Sequence, residues 1–275
     1  PPEWGFAASP YVLDDQLIIE AGATYSLNKK TGEIIWKSKT YRPAYGTPTL
    51  FQPDGKSMIA VLKTDGLVLL HPKTGKTISF VKWETSYRTN ASTPIIQGDK
   101  LFISTGYGRG CALFQWKNDQ LLKLYENKVL STHMNHAILK DDHLYGFDGN
   151  VHMAGKKDFV CMEFLSGKEK WRTTDRGLMV GSLLVAGKRM IILVNKWDLA
   201  SGTNVSAELY KEDMYDEFKD LRHYPILFVS ALTKRRVSNI LEVAWDIFIK
   251  QREKLSTKKL NEWVERAVRN YPPPA

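Results

Sequence analysis

A repeated unit occupies residues up to about 193 of this 275-residue chain and restricts the folds that it can adopt. Each copy has a small residue or proline, a short apolar pair, a turn and a second apolar strand, as in Ser9–Ile19 and Ser92–Ile103. Equivalent positions are separated by 38, 46, 43 and 46 residues, at Pro10, Pro48, Pro94, Ala137 and Leu183. Helical periodicity is missing from this part of the sequence. Short strands with a period of about 43 residues predict an all-β propeller, with four full units and part of a fifth.

A second signature lies later in the unit, at Thr31–Trp36, Thr74–Phe80 and Ser166–Trp171. Its glycine supplies a turn, and we expect the aromatic residue that follows to pack between neighbouring sheets. The third unit has Lys117–Gln120 at this place, without glycine. The tryptophans near the ends of the units are predicted to be packing residues: Trp36, Trp83, Trp116 and Trp171.

Together, the two signatures resemble the PQQ-like β-propeller repeats of quinoprotein dehydrogenases and of outer-membrane assembly lipoproteins of the BamB type. The resemblance covers residues 4 to 193. Closed propellers of seven or eight blades would need about 300 to 350 residues at this period, so we expect an incomplete propeller. Most members bind no quinone, and PQQ is therefore not expected as a cofactor. The resemblance implies a binding or scaffold module with a surface for a protein or a small ligand.

Two groups of residues within the repeats have both a chemical and a structural interpretation. Gly106–Gly110 is rich in glycine, but it follows a strand and precedes no helix, which favours a turn over a phosphate-binding loop. Four histidines lie near Asp141 and Asp142: His133, His136, His143 and His152. Spacing on strands and loops does not by itself bring metal ligands together, so we predict no metal site there.

Composition and charge exclude several classes of protein. Cys111 and Cys161 indicate buried thiols, although the sequence leaves a single disulfide open. The net charge of +9 divides into +7 up to residue 193 and +2 after it, and the basic residues are mostly scattered. Nucleic-acid binding requires a basic stripe or patch, which this pattern does not provide. No apolar run approaches the roughly 20 residues of a membrane span.

The repeated pattern of short strands and turns ends near Leu193, and the pattern of apolar residues after it is different. Met190–Val194 and Ile226–Val229 are continuous apolar strands of the kind that is buried on both faces of a parallel sheet. Apolar residues at helical spacing predict three amphipathic helices in this part of the chain. Their buried faces are predicted to contain Tyr210, Met214, Phe218 and Leu221, then Val237, Ile240, Leu241, Ala244 and Phe248, and finally Leu260, Trp263, Val264, Ala267 and Val268 after a cap at Ser256. The order strand, helix, strand, helix predicts an α/β segment.

Polar motifs follow both of these strands, at the edge where open α/β sheets bind ligands. Asn195-Lys196-Trp197-Asp198 follows the first strand, and Ser230-Ala231-Leu232 follows the second. This is the pair of motifs that selects guanine in small GTP-binding domains. In that chemistry Asp198 accepts both guanine ring donors, the stem of Lys196 lies along the base, Asn195 braces the two loops, and the Ala231 N–H meets the guanine carbonyl. The same residue types also suit simple turns after strands.

Residues 186 to 275, including Val194–Leu199 and the terminal Asn270–Pro274, resemble the second GTPase domain of the double-domain ribosome-assembly GTPases (Der, also called EngA). That family hydrolyses GTP and acts in maturation of the large ribosomal subunit. The two resemblances together imply three domains: partial propeller repeats at 1–193, the C-terminal part of a G domain at 194–254, and the start of a KH-like domain at 255–275.

A GTPase also needs the G-x-x-x-x-G-K-[ST] loop that holds phosphates, and these 275 residues do not contain it. No complete active site is therefore expected. Of the possible cofactors, only GTP remains open, at the C-terminal segment. Ribosome or rRNA partners are implied only by the Der resemblance. The propeller family implies export to the periplasm and the GTPase family a cytoplasmic location. Because one apolar strand serves both patterns, we interpret the chain as a composite of two truncated genes, with a genuine fusion as the alternative.

Overall fold

The structure is a computed structural model. It describes residues 5–151, 157–173, 182–186, 189–195, 197–200, 206–217 and 224–250, together with positions 261, 265 and 269. The chain divides into two compact units, Pro1–Leu183 and Leu184–Ala275. The described part is mostly β, with four four-stranded sheets and one three-stranded sheet.

The first unit consists of four antiparallel sheets that follow one another along the chain in a propeller arrangement, as the repeats predict. Blade 1 contains β1 (Tyr11–Leu13), β2 (Gln16–Ala21), β3 (Ala23–Asn28) and β4 (Ile34–Lys37). Blade 2 contains β5 (Thr49–Phe51), β6 (Met58–Leu62), β7 (Gly66–Leu70) and β8 (Thr77–Lys82), with a 3-10 turn at Pro53–Gly55. Blade 3 contains β9 (Ile95–Gln97), β10 (Lys100–Thr105), β11 (Gly110–Lys117) and β12 (Gln120–Asn127). Blade 4 contains β13 (Ile138–Lys140), β14 (His143–Asp148), β15 (Asp158–Glu163) and β16 (Glu169–Arg172).

The core of this unit lies between neighbouring blades. Alternate residues of β6 point to opposite faces, so Ile59 and Val61 pack towards blade 1 while Ala60 and Leu62 pack towards blade 3. All five residues of β6 and all five of β7 are buried, because both faces of blade 2 are covered. A third apolar cluster joins Phe102 of blade 3 to blade 4.

A bulge recurs in the outermost strand of every blade. Each of these strands has one residue more than its partner strand, at Ile35, Ile78, Leu124 and Lys170. A bulge of this kind changes which side chains share a face of the sheet.

The aromatic residue of the second signature packs between blades in blade 1. Trp36 is buried and its Nε1–H donates to the Pro72 carbonyl at 2.8 Å, directly over Gly75. Blade 3 lacks the turn glycine, yet its Tyr125 hydroxyl donates to the Phe164 carbonyl at 2.8 Å and its ring covers Gly167 in the same way.

The prediction is wrong for Phe80, which lies five residues after its glycine, whereas Trp36 and Trp171 lie four after theirs. Phe80 therefore lies on the opposite face of the blade and is 44% exposed. Trp171 is also 43% exposed, although its ring contacts Tyr145 and Phe159 of its own blade.

A three-stranded sheet of order β17-β18-β19 begins at the boundary between the units, where the first two residues of β17 belong to the first unit, and the second unit has two described helices longer than one turn. The elements of this region are β17 (Ser182–Ala186), β18 (Arg189–Val194), a 3-10 turn (Trp197–Ala200), α1 (Ala207–Glu217), β19 (Ile226–Phe228) and α2 (Ser238–Lys250). β18 and β19 pair in parallel, with Val194 opposite Phe228.

The helices differ in part from the predicted faces. In α1, Met214 is buried as expected, while Phe218 and Leu221 lie outside the described residues. In α2, Ile247 is buried, and the partly buried Val243 and Ala244 pack in the same cluster. The sequence predicts Leu241 on this buried face, but the structure leaves it 75% exposed, and Val237 precedes the helix.

The third predicted helix, with its cap at Ser256, lies outside the described residues, although positions 261, 265 and 269 are helical. In the part of the chain that the structure describes, no helix is long and apolar enough to cross a membrane.

Candidate guanine site

The two candidate motifs lie side by side at one edge of the second unit's sheet. Because β18 and β19 are parallel, the loops that follow them begin at the same edge. The Val229 N–H donates to the Val194 carbonyl at 2.9 Å, and the Trp197 N–H donates to the Val229 carbonyl at 3.0 Å. The backbone therefore fixes the two loops to one another before any side chain contributes.

A side-chain hydrogen bond connects the acidic residue of the first loop with the serine of the second. The Ser230 hydroxyl donates to Oδ1 of Asp198, and the Ser230 Oγ in turn accepts the Thr233 N–H at 3.2 Å. Ser230 is fully buried and its own N–H donates to the Arg235 carbonyl at 3.1 Å. A buried serine held from both sides orients the Asp198 carboxylate.

Asn195 links the same two loops. Its Oδ1 accepts the Ala231 N–H at 3.1 Å. The sequence assigned this N–H to a guanine carbonyl, whereas here it is already engaged by the asparagine amide. Binding a base in the expected way would therefore require the Asn195 side chain to move away from Ala231.

The remaining predicted residues contribute less to the described geometry. The Leu232 side chain is 84% exposed and points away from the protein. Lys196 lies outside the described residues. Within the first motif, the structure therefore gives side-chain hydrogen bonds for Asp198 and Asn195.

Three aromatic rings pack against one another beside the loops, and the sequence analysis did not predict that they meet. The Trp197 ring lies 4.4 Å from Phe228 and 5.7 Å from Tyr210, and the latter two rings are 5.8 Å apart. Burial raises the pKa of Tyr210. Trp197 lies between the two guanine-motif residues Asn195 and Asp198, so packing of its ring anchors the loop. An aromatic residue inside the motif is the sequence feature from which this packing could have been predicted.

The glycine-rich stretch of the first unit is a turn, as expected. Gly106–Gly110 connects β10 to β11, and the Arg109 N–H donates to the Gly106 carbonyl at 3.1 Å. The Arg109 guanidinium lies 3.5 Å from the centre of the Trp83 ring and 2.7 Å from Glu126. Trp83 is itself buried and packs as predicted.

The histidines of the fourth unit are dispersed. His133 is buried, His136 accepts the Thr93 N–H at Nδ1 over 3.3 Å, and His143 contacts the Asp141 carbonyl. His152 lies outside the described residues. Among the residues that the structure describes, no group of three or more His, Cys, Asp or Glu side chains is placed to hold a metal ion.

Both cysteines are free thiols inside blades. Burial raises the pKa of Cys111 to about 12 and also raises the pKa of Cys161. The single disulfide that the sequence left open is not formed.

Comparison with known proteins identifies the family of the first unit. Residues 2–158, more than half of the chain, match the family model described as outer membrane protein assembly factor BamB. The chain belongs to the BamB family. The crystal structure of BamB from Moraxella catarrhalis has the same fold, with a TM-score of 0.52 at 15% identity over 67% of this chain and 57% of that chain.

A different protein resembles a smaller part of this BamB-family chain. GTPase Der of Flavobacterium johnsoniae is 42% identical over 88 residues, which are 32% of this chain and 20% of Der. GTPase Der of Fusobacterium nucleatum is 37% identical over 120 residues, which are 43% of this chain and 27% of Der. The chain therefore spans only about a fifth to a quarter of the length of these relatives.

Proposed function

We propose that the first unit is a non-catalytic binding or scaffold module and that the second unit is a truncated Der-type segment that recognises guanine without hydrolysing GTP. Membership of the BamB family supports the first part, and the 42% identity to GTPase Der supports the second. The observation that carries the guanine assignment is the hydrogen bond from the Ser230 hydroxyl of one motif to the Asp198 carboxylate of the other, which orients the carboxylate that is proposed to recognise guanine.

The chemistry of the Asp198 carboxylate favours guanine over adenine. An ionised carboxylate has acceptor oxygens and no donors, so it matches the ring N–H and exocyclic amine that guanine offers side by side. Adenine offers no ring N–H at that position. Because Ser230 holds one carboxylate oxygen, the group is oriented before the base arrives, which lowers the entropic cost of binding.

Hydrolysis is not part of this proposal. Phosphoryl transfer requires groups that cradle the phosphates and hold magnesium, and these 275 residues contain no G-x-x-x-x-G-K-[ST] sequence. The base-recognition loops alone supply neither function. We therefore expect weak, base-selective binding and no release of phosphate above the buffer rate.

Replacement of one carboxylate oxygen of Asp198 by an amide nitrogen tests the guanine assignment. Xanthine has a carbonyl in place of the exocyclic amine, so Asp198→Asn, which offers an N–H donor there, should exchange guanine preference for xanthine preference. Because Asp198→Asn loses a charge-assisted hydrogen bond to guanine, it should bind a fluorescent GTP analogue about 10- to 100-fold more weakly. It should bind the matching XTP analogue more tightly than the unmodified chain does. The control is Asp213→Asn on α1, an exposed acid outside the loops.

Two results would overturn the guanine assignment. One is the absence of binding of the GTP analogue at millimolar concentration by the unmodified chain. The other is equal loss for both analogues in Asp198→Asn, which would indicate general damage to the loops.

The alternative function is that of a GTP-binding ribosome-biogenesis factor fragment, favoured by the identity to GTPase Der. This alternative predicts that the full chain pellets with purified large ribosomal subunits at about 0.1 M salt, with GTP increasing the pelleted fraction. A chain that stays in the supernatant with and without GTP contradicts it.

A further inference from the structure

An open groove on the first unit has the properties of a peptide-binding site. It has a volume of about 640 Å³ and is lined by residues of the connection from blade 1 to blade 2, of the turn between β6 and β7, and of the outermost strand of blade 2 with the segment that follows it. We call it the Tyr41–Phe80 groove, after the two aromatic residues that stack against one another along its floor; Lys39, Arg42, Asp65 and Lys82 line it as well.

The floor of the groove is aromatic because of the bulge at Ile78. The extra residue places Thr77, Phe80 and Lys82 on one face of β8, so all three line the groove. Phe80 pairs with Val68, which belongs to the apolar cluster shared with blade 1, and the Tyr41 ring packs on that cluster. The two rings are nearly parallel, with centroids 5.8 Å apart, and leave Phe80 partly exposed.

The walls of the groove carry an excess of positive charge. The Arg42 Nε is 2.9 Å from Asp65 Oδ1, so these two charges balance one another. Lys82 is 3.2 Å from Glu84, both at the surface. The Lys39 ammonium lies 5.8 Å from the centre of the Tyr41 ring, and no carboxylate of the described residues lies within 4.0 Å of it. Three cations face two carboxylates, which leaves one positive charge beside an apolar floor.

The strand beside the groove also has an unpaired edge. Within the described residues, β8 is the last strand of its sheet and pairs only with β7. An extended peptide that pairs with such an edge directs every second side chain to the face on which Phe80 and Lys82 lie. This geometry fits a peptide better than a compact small molecule.

We propose that the Tyr41–Phe80 groove binds an extended peptide segment in which an aromatic residue is flanked by acidic residues. The aromatic side chain lies against Tyr41 and Phe80, and a neighbouring carboxylate meets the Lys39 ammonium. The proposal deepens the role of the first unit as a binding module and rests on it.

The test uses the full chain and the blocked peptide acetyl-Ser-Asp-Phe-Asp-Ser-amide, with binding measured by saturation-transfer NMR and calorimetry. Phe80→Ser should weaken binding about tenfold by removing one of the two aromatic rings of the floor, and Lys39→Gln about threefold by removing an exposed charge partner. Ile78→Ser, on the same strand but outside the groove lining, and Lys73→Gln, on the preceding turn, are the matched controls and should change binding less than twofold. The Asn version of the peptide should bind about as weakly as the aspartate peptide binds to Lys39→Gln.

Three outcomes overturn the assignment. Binding that is equal in Phe80→Ser and Ile78→Ser places the peptide elsewhere on the propeller, which refutes the groove but leaves the unit a binding module. Equal binding of the Asp and Asn peptides refutes the charge argument. No binding of the aspartate peptide at millimolar concentration refutes the groove as a peptide site, and a different ligand class would then have to support the module role.

Discussion

The cross-blade ion pair between Glu20 and Lys63 allows a sharp test of how the first unit is held together. Glu20 lies in β2 of blade 1 and Lys63 directly follows β6 of blade 2, and both side chains are fully buried. The Lys63 ammonium donates to the Glu20 carboxylate and, at 3.1 Å, to the Gly22 carbonyl. The carboxylate also accepts the Thr24 hydroxyl at 2.9 Å and the Gly22 N–H at 3.2 Å.

Burial dominates the electrostatics of this pair. Desolvation raises the pKa of Glu20 and lowers the pKa of Lys63, and the opposite charge of the partner counteracts each shift. Lys63→Met removes the cation and leaves a buried carboxylate, which costs about 3–5 kcal/mol. The double variant Glu20→Gln, Lys63→Met has no buried charge, so we expect it to recover most of that loss. Lys82→Met, at the exposed Lys82–Glu84 pair, should cost less than about 1 kcal/mol.

The pH dependence of Lys63→Met follows from the carboxylate left behind. Without the Lys63 charge the pKa of Glu20 in the folded chain lies further above its ordinary value, so the protonated form is favoured by folding. The stabilisation that protonated Glu20 contributes is fully present below the pKa of Glu20 in the unfolded chain. It is lost as pH rises through the raised pKa of Glu20 in the folded chain. The destabilisation by Lys63→Met should therefore be smaller at pH 5 than at pH 8.

Native-state hydrogen exchange of the β6 amides is the appropriate assay, because it reports the first unit separately from the second. The reasoning is refuted if Lys63→Met costs less than about 1 kcal/mol at pH 8, or if the double variant costs the sum of the two single changes. A destabilisation that does not change between pH 5 and pH 8 would contradict the assignment of the residual charge to Glu20.

Two further predictions concern the blade interfaces. Gly75→Ala places a Cβ 2.4 Å from the buried Trp36 ring at a backbone φ of +68°. It should destabilise the first unit in urea unfolding by about 1–3 kcal/mol more than Gly108→Ala, where φ is +64° but nothing lies within 4 Å of the added Cβ. Equal costs for the two variants would show that strain at positive φ is the whole effect. Burial raises the pKa of Cys111 to about 12, so this thiol should resist iodoacetamide at pH 8 in the folded chain and react once urea is added. Mass spectrometry of the Cys111 peptide measures the labelling, and rapid labelling without urea would contradict the burial of Cys111.

The sequence predicted the blades well because turns and alternation are local properties. Leu101–Ile103 was expected as a strand after an Asp-containing turn, and it lies within β10. The turn glycine Gly75 has a φ of +68°, which few other residues adopt. What the sequence did not reveal is the bulge at Ile78, since one extra residue leaves hydropathy unchanged while it reverses the faces of the residues that follow.

Other features escaped prediction because they depend on residues distant in sequence. Lys63 and Glu20 are 43 positions apart, and a lysine at the end of a strand normally indicates exposure. In the second unit, the two loops were correctly expected at neighbouring strand ends, since that follows from the two apolar strands. The occupation of the Ala231 N–H by Asn195 was not foreseen, because it depends on a side-chain rotamer at another strand end.

One hydrogen bond recurs around the first unit and explains how uneven repeats can build a regular structure. The N–H of Ser9 donates to Thr47 Oγ1 at 3.2 Å, the N–H of Thr47 to Thr93 Oγ1 at 3.2 Å, and the N–H of Thr93 to His136 Nδ1 at 3.3 Å. The same backbone position of each unit thus donates to the side chain at the equivalent position of the next. Because the link joins residues just before the innermost strands, differences in repeat length are absorbed in loops that do not take part in it.

The third of these links differs chemically from the first two. A threonine hydroxyl accepts a hydrogen bond at any pH, whereas His136 Nδ1 accepts only while it carries no proton. Desolvation lowers the pKa of His136, so the acceptor persists to lower pH than an ordinary histidine would allow. The stabilisation that neutral His136 contributes is fully present above the pKa of His136 in the unfolded chain. It is lost as pH falls through the lowered pKa of His136 in the folded chain. Of these three links, acid therefore acts first on the one between blades 3 and 4, at the point where the repeat replaces threonine by histidine.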